Sequence, residues 1–362
     1  MAASFPQPRR SDGGLDDPAP LRLVTYPQFP NQNAPDVNAS DKNGLQWLTT
    51  QILFHYQRCP RRAFLDHYGD RQLKVAPSDY LEKLKQDSAD HRQQILADYY
   101  PLHRPRYLAQ DWLAGSAATV ALMAKGVNYI SQGVLTAETA AHITLVSTPD
   151  LLIRVPGDSI WGDWQYVPAD IKFGKKPKLD YQLVAAFHAL VVRNVQGSWP
   201  ETSWLILREG KSYAVDLQKQ LPRLDDLLYA CMEDLQNEAP PEVFIAHSRC
   251  DLCNWFSHCH SEARATQHLS LLPGVTLARY NHLRKLNLTT VAALAAANPA
   301  KLSTLPGFGE SVAEKMVHQA QAVLGDRAIP RLTKQLPQRF PLSAEQLPSA
   351  PIELYFDSDA AP

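Results

Sequence analysis

Two short apolar runs, Leu151–Val155 and Tyr166–Phe173, precede an apolar helical pattern from about Leu179 to Asn194, and this succession limits the chain more than any other feature. Two strands feeding a helix bury their faces most simply in a mixed α/β layer. Alternation along the second run puts Asp170 and Lys172 on one side and sends Ile171 into the core. Asp150 stands immediately before the first run. Two carboxylates and a lysine on paired strands can hold a divalent ion and set a water beside a phosphate. The plainer reading is a surface ion pair, worth about 0–1 kcal/mol.

The remaining pattern supports a mixed layer. Helical spacing runs from Thr49–Thr50 through Tyr68, with Gly69 at its end, and again from Ser78 to about Tyr100. Residues 106–147 mix short helical and strand signals, including a strand expected within Val127–Val134. Pro156-Gly157-Asp158 reads as the turn between the two runs. Residues 203–207 and 212–217 read as strands paired around Glu209-Gly210-Lys211, and 221–237 as a helix. From about 268 to 325 the pattern is all-helical.

Net charge is −1 over 362 residues, so a phosphate-binding surface has to be local. The first residues lack the apolar core of a signal peptide and no apolar run reaches membrane length, so a cytoplasmic, reducing setting with no membrane partner is expected. Clustered cysteines in that setting suggest metal ligation. Cys250, Cys253 and Cys259 form Cys-x2-Cys-x5-Cys, and Cys59 lies far upstream in Arg-Cys-Pro-Arg-Arg. Four thiolates would hold an iron–sulfur cluster or, with His258 and His260 nearby, zinc. Unrelated buried thiols are the other reading. Cys231, among leucines at helical spacing, is a core residue.

Taken in order, Arg58-Cys59-Pro60-Arg61-Arg62-Ala63-Phe64, His91, Asp150, Asp170-Ile171-Lys172, Gln182 and the cysteine triplet resemble RecB-like nucleases of the PD-(D/E)XK superfamily, in the iron–sulfur branch that includes CRISPR adaptation nucleases and AddB. The resemblance covers about residues 48–262. It implies a restriction-endonuclease-like mixed sheet flanked by helices and a Mg- or Mn-dependent nuclease. The substrate would be single-stranded DNA or DNA ends in repair, recombination or defence, with a helicase or repair subunit as a partner. It implies that His91, Asp150, Asp170 and the Ile171 carbonyl bind the metal. Lys172 would position or activate the water, Gln182 would complete the last motif, and Cys59, Cys250, Cys253 and Cys259 would hold a 4Fe-4S cluster. The family often has Tyr four positions after that Gln; here the residue is Ala186. The alternative is a non-catalytic nucleic-acid-binding protein that kept the fold and cluster. Lys175, Lys176 and Lys178 would hold flanking phosphates, unless the loop is only a solvated turn.

Leu272-Pro273-Gly274 and Leu305-Pro306-Gly307 repeat 33 positions apart, and both are expected to open helices. Leu305 to Lys315 resembles the second half of a helix-hairpin-helix, whose Gly307 and Gly309 would expose backbone N–H groups to a DNA phosphate; Leu288–Leu294 would be the preceding helix. The expected organisation is a disordered segment 1–44, a nuclease domain 45–262, a small all-helical domain 263–328 and an extended tail 329–362. The tail resembles the opening strand of an RNase H-like domain. It is expected to have no sheet to join, so Asp357 and Asp359 are not assigned catalysis.

Overall fold

A computed structural model describes residues 23–24 and 46–327. The expectations for 329–362, and for 1–44 apart from Leu23–Val24, lie outside the described residues. Two compact units form, one ending at Thr266 and the other beginning at Gln267.

The first unit holds two mixed sheets. One has four strands in the order β1 (Leu23–Val24), β5 (Leu135–Thr139), β6 (Thr144–Ser147), β2 (Trp47–Thr49). This sheet lies in the stretches whose pattern was least readable. The other has six, in the order β10 (Ser212–Val215), β9 (Ser203–Ile206), β8 (Gly162–Ile171), β7 (Leu151–Ser159), β4 (Tyr129–Ser131), β3 (Leu102–His103). In this sheet β8–β9 and β3–β4 are parallel and the other pairs antiparallel.

Helix α5 (Leu179–Gln196) packs against both sheets. Every residue from Leu183 to Val192 is buried, as a helix apolar on all sides must be. Gly197 ends it in the left-handed conformation, φ 78°. On the far face of the six-stranded sheet, Leu151, Ile153, Val167, Ala169 and Ile171 meet Ile95 and Leu96 of α3 (Asp79–Leu96). Ile171 therefore points into that core, as alternation predicts, and Asp170 faces α5.

Three local expectations are corrected. The helical stretch from Thr49 to Tyr68 is two helices, α1 (Thr50–Arg58) and α2 (Pro60–Tyr68), because Pro60 has no N–H to continue α1 and drives Cys59 to an extended φ of −162°. The turn is not at Pro156-Gly157-Asp158. Strand β7 runs through it, with an irregular register between Pro156 and Ser159, and the chain reverses at Ile160–Trp161. The helix expected over Leu288–Leu294 is α10 (Val291–Ala295), capped by the Thr290 hydroxyl. Helix α4 (Trp112–Ala124) precedes β4, α6 (Leu217–Gln236) packs on α5, and α7 (His247–Cys250) and α8 (Phe256–Ala265) bracket the cysteine triplet.

The second unit contains α9 (Leu277–Lys285), α10, α11 (Pro299–Leu302) and α12 (Gly309–Leu324), with α10 and α11 packed on α12. Among the described residues, no helix is long and apolar enough to cross a membrane.

Candidate functional site

Asp170 and Asp150 meet where β7 and β8 end side by side. The Asp150 carboxylate accepts the Ile171 N–H at 2.8 Å, and the Asp150 N–H approaches Asp170 Oδ1 at 3.5 Å. Lys172 leaves the end of β8, and its Nζ lies 2.8 Å from Asp170 Oδ2. Its own N–H donates to the Ile206 carbonyl on β9, which anchors the turn out of the strand. Strand register thus gathers Asp150, Asp170 and Lys172.

Burial would raise the Asp170 carboxyl, but Lys172 and His188 outweigh it and hold the acid well below the usual carboxylate range. Asp150 goes the other way, raised by burial and by the Asp170 charge against the pull of Lys172 and Arg92. Burial alone would lower the Lys172 amine, yet the two carboxylates raise it, so it stands as an ammonium. Opposed shifts on adjoining carboxyls are a pattern that acid–base sites share. Structural ion-pair networks also produce it.

Two residues that sequence reading did not single out complete this network. His188, buried inside α5, places Nε2 3.3 Å from Asp170 Oδ1, while its Nδ1 lies 2.7 Å from the Ser147 hydroxyl on β6. A single imidazole within a wholly apolar helix face was the available signal. Arg92 of α3 places Nε 2.7 Å from Asp150 Oδ1.

The other predicted residues stand around this centre. His91 meets Phe173 edge to face at 5.7 Å and forms no ion pair with either carboxylate. Burial, Arg208 and Arg92 lower its pKa, which favours the neutral ring, and its Nε2 is buried without a hydrogen-bond partner. Gln182 is engaged at both ends of its amide, donating to the Pro177 carbonyl at 2.6 Å and accepting from Gln220 at 2.9 Å. It ties the loop and α6 to α5 rather than bonding to a carboxylate. Ala186 is fully buried in the core. The aromatic ring near the lysine is Tyr181, with the Lys172 and Lys178 amines each 5.9 Å from its centroid. Lys175, Lys176 and Lys178 are exposed.

The fit of a divalent ion rests on the donor set. Two carboxylates converge, and Asp170 Oδ2 is buried with no aligned hydrogen bond although Lys172 lies beside it. Oxygen donors of this kind suit Mg²⁺ or Mn²⁺. Among the described residues, no three His, Cys, Asp or Glu side chains are gathered into a metal-holding group.

The four predicted cysteines lie within electrostatic reach of one another in the first unit, but the described residues do not close them into a metal-holding group. Cys59 and Cys250 each feel the charge of Cys253 and, in the case of Cys250, of Cys59; Cys259 feels both Cys253 and Cys59. All four are free thiols, half-buried. Burial raises Cys59 and Cys250, and takes Cys259 to about 11 despite Arg61 beside it. N–H groups already point at two of them: Arg62 N to Cys59 Sγ at 3.4 Å and Ala246 N to Cys250 Sγ at 3.3 Å. Four thiols are donors of the type that a sulfur-bound cluster or ion takes. His258 and His260 meet the rings of Trp255 and Phe256 instead. Cys231 lies apart, fully buried in α6.

Protein contacts also join the two cysteine-bearing segments. Arg61 pairs with Glu262, Trp255 Nε1 donates to Asp66 at 2.9 Å, and Arg249 donates to the Arg58 carbonyl at 3.1 Å. Val75 and Asn254 exchange two hydrogen bonds, at 2.9 and 2.7 Å.

In the second unit the repeated Leu-Pro-Gly phrases form paired turns. Gly274 and Gly307 have φ of 86° and 80°, and Arg279 donates to both of their carbonyls, at 2.7 and 2.8 Å. One guanidinium thus ties the two turns. Thr276 caps α9, whereas α12 has no side-chain cap. Gly307 and Gly309 face open space, with nothing within 4 Å of where a Cβ would stand. Close approach by a ligand backbone is sterically free there.

Residues 267–322 match the family described as a SAM-like helix-hairpin-helix tandem. No curated protein matches the chain. A solved structure titled "Crystal structure of SSO0001" is similar at 13% identity over 60% of this chain and 86% of that chain, with a TM-score of 0.29.

Proposed function

We propose that the first unit is a divalent-metal-dependent DNA nuclease, and that the helix-hairpin-helix tandem binds the DNA backbone without reading sequence. The carrying observation is the convergence of Asp150, Asp170 and the Lys172 ammonium at two neighbouring strand ends. Asp150, Asp170 and the Ile171 carbonyl would hold Mg²⁺ or Mn²⁺, with His91 as the imidazole donor. A bound ion of this kind supplies charge for a phosphoryl oxygen and a more acidic water. Lys172 orients that water and faces the charge that builds on the phosphate. His188 fixes the Asp170 carboxylate from behind, and Ser147 fixes His188. Lys175, Lys176 and Lys178 take flanking phosphates. Gly307 and Gly309 at the uncapped start of α12 take another. Cys59, Cys250, Cys253 and Cys259 hold a structural 4Fe-4S cluster, with zinc as the alternative.

The test is digestion of linear single-stranded DNA with Mn²⁺ by the wild type and by Asp170→Asn, which keeps the side-chain volume. Cleavage by the wild type and its loss in the variant supports the reading; equal cleavage by both overturns the assigned site. A second reading, a non-catalytic DNA-binding protein, is favoured by Ala186 and by the Arg92 contact that occupies Asp150. DNA binding with no cleavage by the wild type would select it. Brown colour and bound iron in protein purified without oxygen would support the cluster; colourless protein with stoichiometric zinc would replace it.

A further inference from the structure

A cleft of about 830 Å³ opens beside β3, the edge strand of the six-stranded sheet, and no part of the proposed site uses it. Its wall is His103-Arg104-Pro105-Arg106-Tyr107. Pro105 is buried while Arg104 and Arg106 are both exposed. The residue before a proline is held extended, and the two arginines stand one on either side of Pro105. Neither arginine has an ion-pair partner among the described residues. The Tyr107 ring lies against Gly115 of α4, where an added Cβ would meet ring atoms at 3.0 to 3.2 Å, and the rest of the ring borders the cleft. His103 brings a buried Nδ1 with no hydrogen-bond partner to the same wall. Gln132 also lines the cleft, and its N–H donates to the Asp150 carbonyl at 3.3 Å. One lining residue of the cleft is thus bonded to the backbone of a candidate catalytic residue.

We propose that this cleft is a single-strand-binding site that leads nucleic acid to Asp150. Arg104 and Arg106 take successive backbone phosphates, and a base stacks on Tyr107. Paired cations beside one aromatic ring are the elements by which single strands are held without sequence preference. A space of this size is on the scale of a small-ligand pocket, roughly 300–1,000 Å³, so it admits a nucleotide or two. The direction of the strand toward Asp150 rests on the nuclease reading; the binding does not.

The experiment is fluorescence anisotropy on the full chain in EDTA, with labelled oligothymidine and a labelled hairpin duplex. Arg104→Ala with Arg106→Ala is expected to weaken oligothymidine binding about tenfold and to make its salt dependence shallower by about 1–2 in slope. Duplex binding should not change. The paired Lys substitutions should restore most of the affinity. Tyr107→Phe should bind as the wild type does, and Tyr107→Leu more weakly. Both arginines are exposed, so an unchanged thermal melt accompanies the loss. Equal oligothymidine affinity and salt slope in the wild type and the double Ala variant would overturn the proposal. So would loss of duplex and single-strand binding together. Arginine-dependent binding without Mn²⁺ cleavage would discard the nuclease reading and keep the cleft; cleavage with arginine-independent binding would do the reverse.

Discussion

The carboxylate centre and the cysteine centre lie in one unit but are assembled by opposite means. Asp150, Asp170 and Lys172 sit on adjoining strand ends, so backbone register places them and their charges pair with one another. Cys59 stands between α1 and α2, while Cys250, Cys253 and Cys259 lie about α7 and α8. Four thiols offer little mutual attraction, and polar contacts from Arg61, Asp66, Asn254 and Arg249 draw the two segments together. The first centre should keep its shape without an ion. The second should depend on whatever the sulfurs hold, since closing so long a loop has an entropic cost that a shared ligand offsets.

Breaking the first centre should give the largest effect. Asp170→Ala and Asp170→Asn should each lower Mn²⁺-dependent cleavage by roughly a thousandfold or more. Both variants remove the charge beside Lys172, but Asn keeps the side-chain volume and can still hydrogen-bond to His188 and Lys172, so Ala should be the less stable by about 1–3 kcal/mol. Thermal melts check this; identical melting of the two variants would mean that side-chain hydrogen bonds at position 170 contribute nothing to stability.

Breaking the second centre should act on stability and metal content. Cys59→Ser should lose the bound metal and about 3 kcal/mol, a melting temperature fall of roughly 6–12 °C. Cys231→Ser is the control, since Cys231 lies in the α6 core: it should destabilise without changing the metal content. Metal analysis of both purified variants decides between a four-cysteine centre and a coincidence of thiols.

The same contrast explains what could be read from the chain. Alternation in β8 is a local property, so the common direction of Asp170 and Lys172, and the opposite one of Ile171, follow from residue order. Spacing alone likewise suggests the cysteine triplet and the tandem Gly turns of residues 267–322. The four-stranded sheet was not legible, because its strands are short and its Trp47–Thr49 strand runs directly into α1. Arg92 and His188 were hidden for a related reason. Each reaches the carboxylates from a helix whose placement is tertiary, and neither carries a spacing signal. Gln182 shows the converse: a motif position read from order is held by Pro177 and Gln220 instead.

His188 offers a finer test of the strand-built centre. It touches no substrate in this arrangement and acts through Asp170, so it is a positioning residue. His188→Ala should lower cleavage about 10–100-fold, the range for partners that orient a metal ligand. Turnover should fall more than apparent substrate affinity. His188→Gln, which can again offer an N–H to Asp170, should recover part of the loss. Full activity in His188→Ala would remove the residue from the mechanism. Loss without any rescue by Gln would reduce it to core packing.

The smallest effect separates the polar clip of the cysteine centre from any metal that the sulfurs hold. Asp66 of α2 accepts from Trp255, lies 2.7 Å from His55 Nδ1 and pairs with Lys74 at 2.6 Å. Burial alone would raise its pKa, but the bonds from His55, Lys74 and Trp255 outweigh burial and hold the carboxyl well below the usual range. A carboxyl depressed in the folded state stabilises that state above its unfolded pKa, about 3.9, and the contribution fades as pH falls below about 4 toward the folded value. Asp66→Asn should therefore cost about 2 kcal/mol near pH 7, roughly 4–8 °C in melting temperature, and progressively less toward pH 3. Metal content at pH 7 should stay at the wild-type level, because Asp66 bonds to Trp255 and to no cysteine. Paired melts at pH 7, 5, 4 and 3 measure the difference. A gap that stays constant down to pH 3 would show that the clip carries no proton-linked stability, leaving the join between α2 and the cysteine triplet to the remaining contacts and to any metal the sulfurs hold.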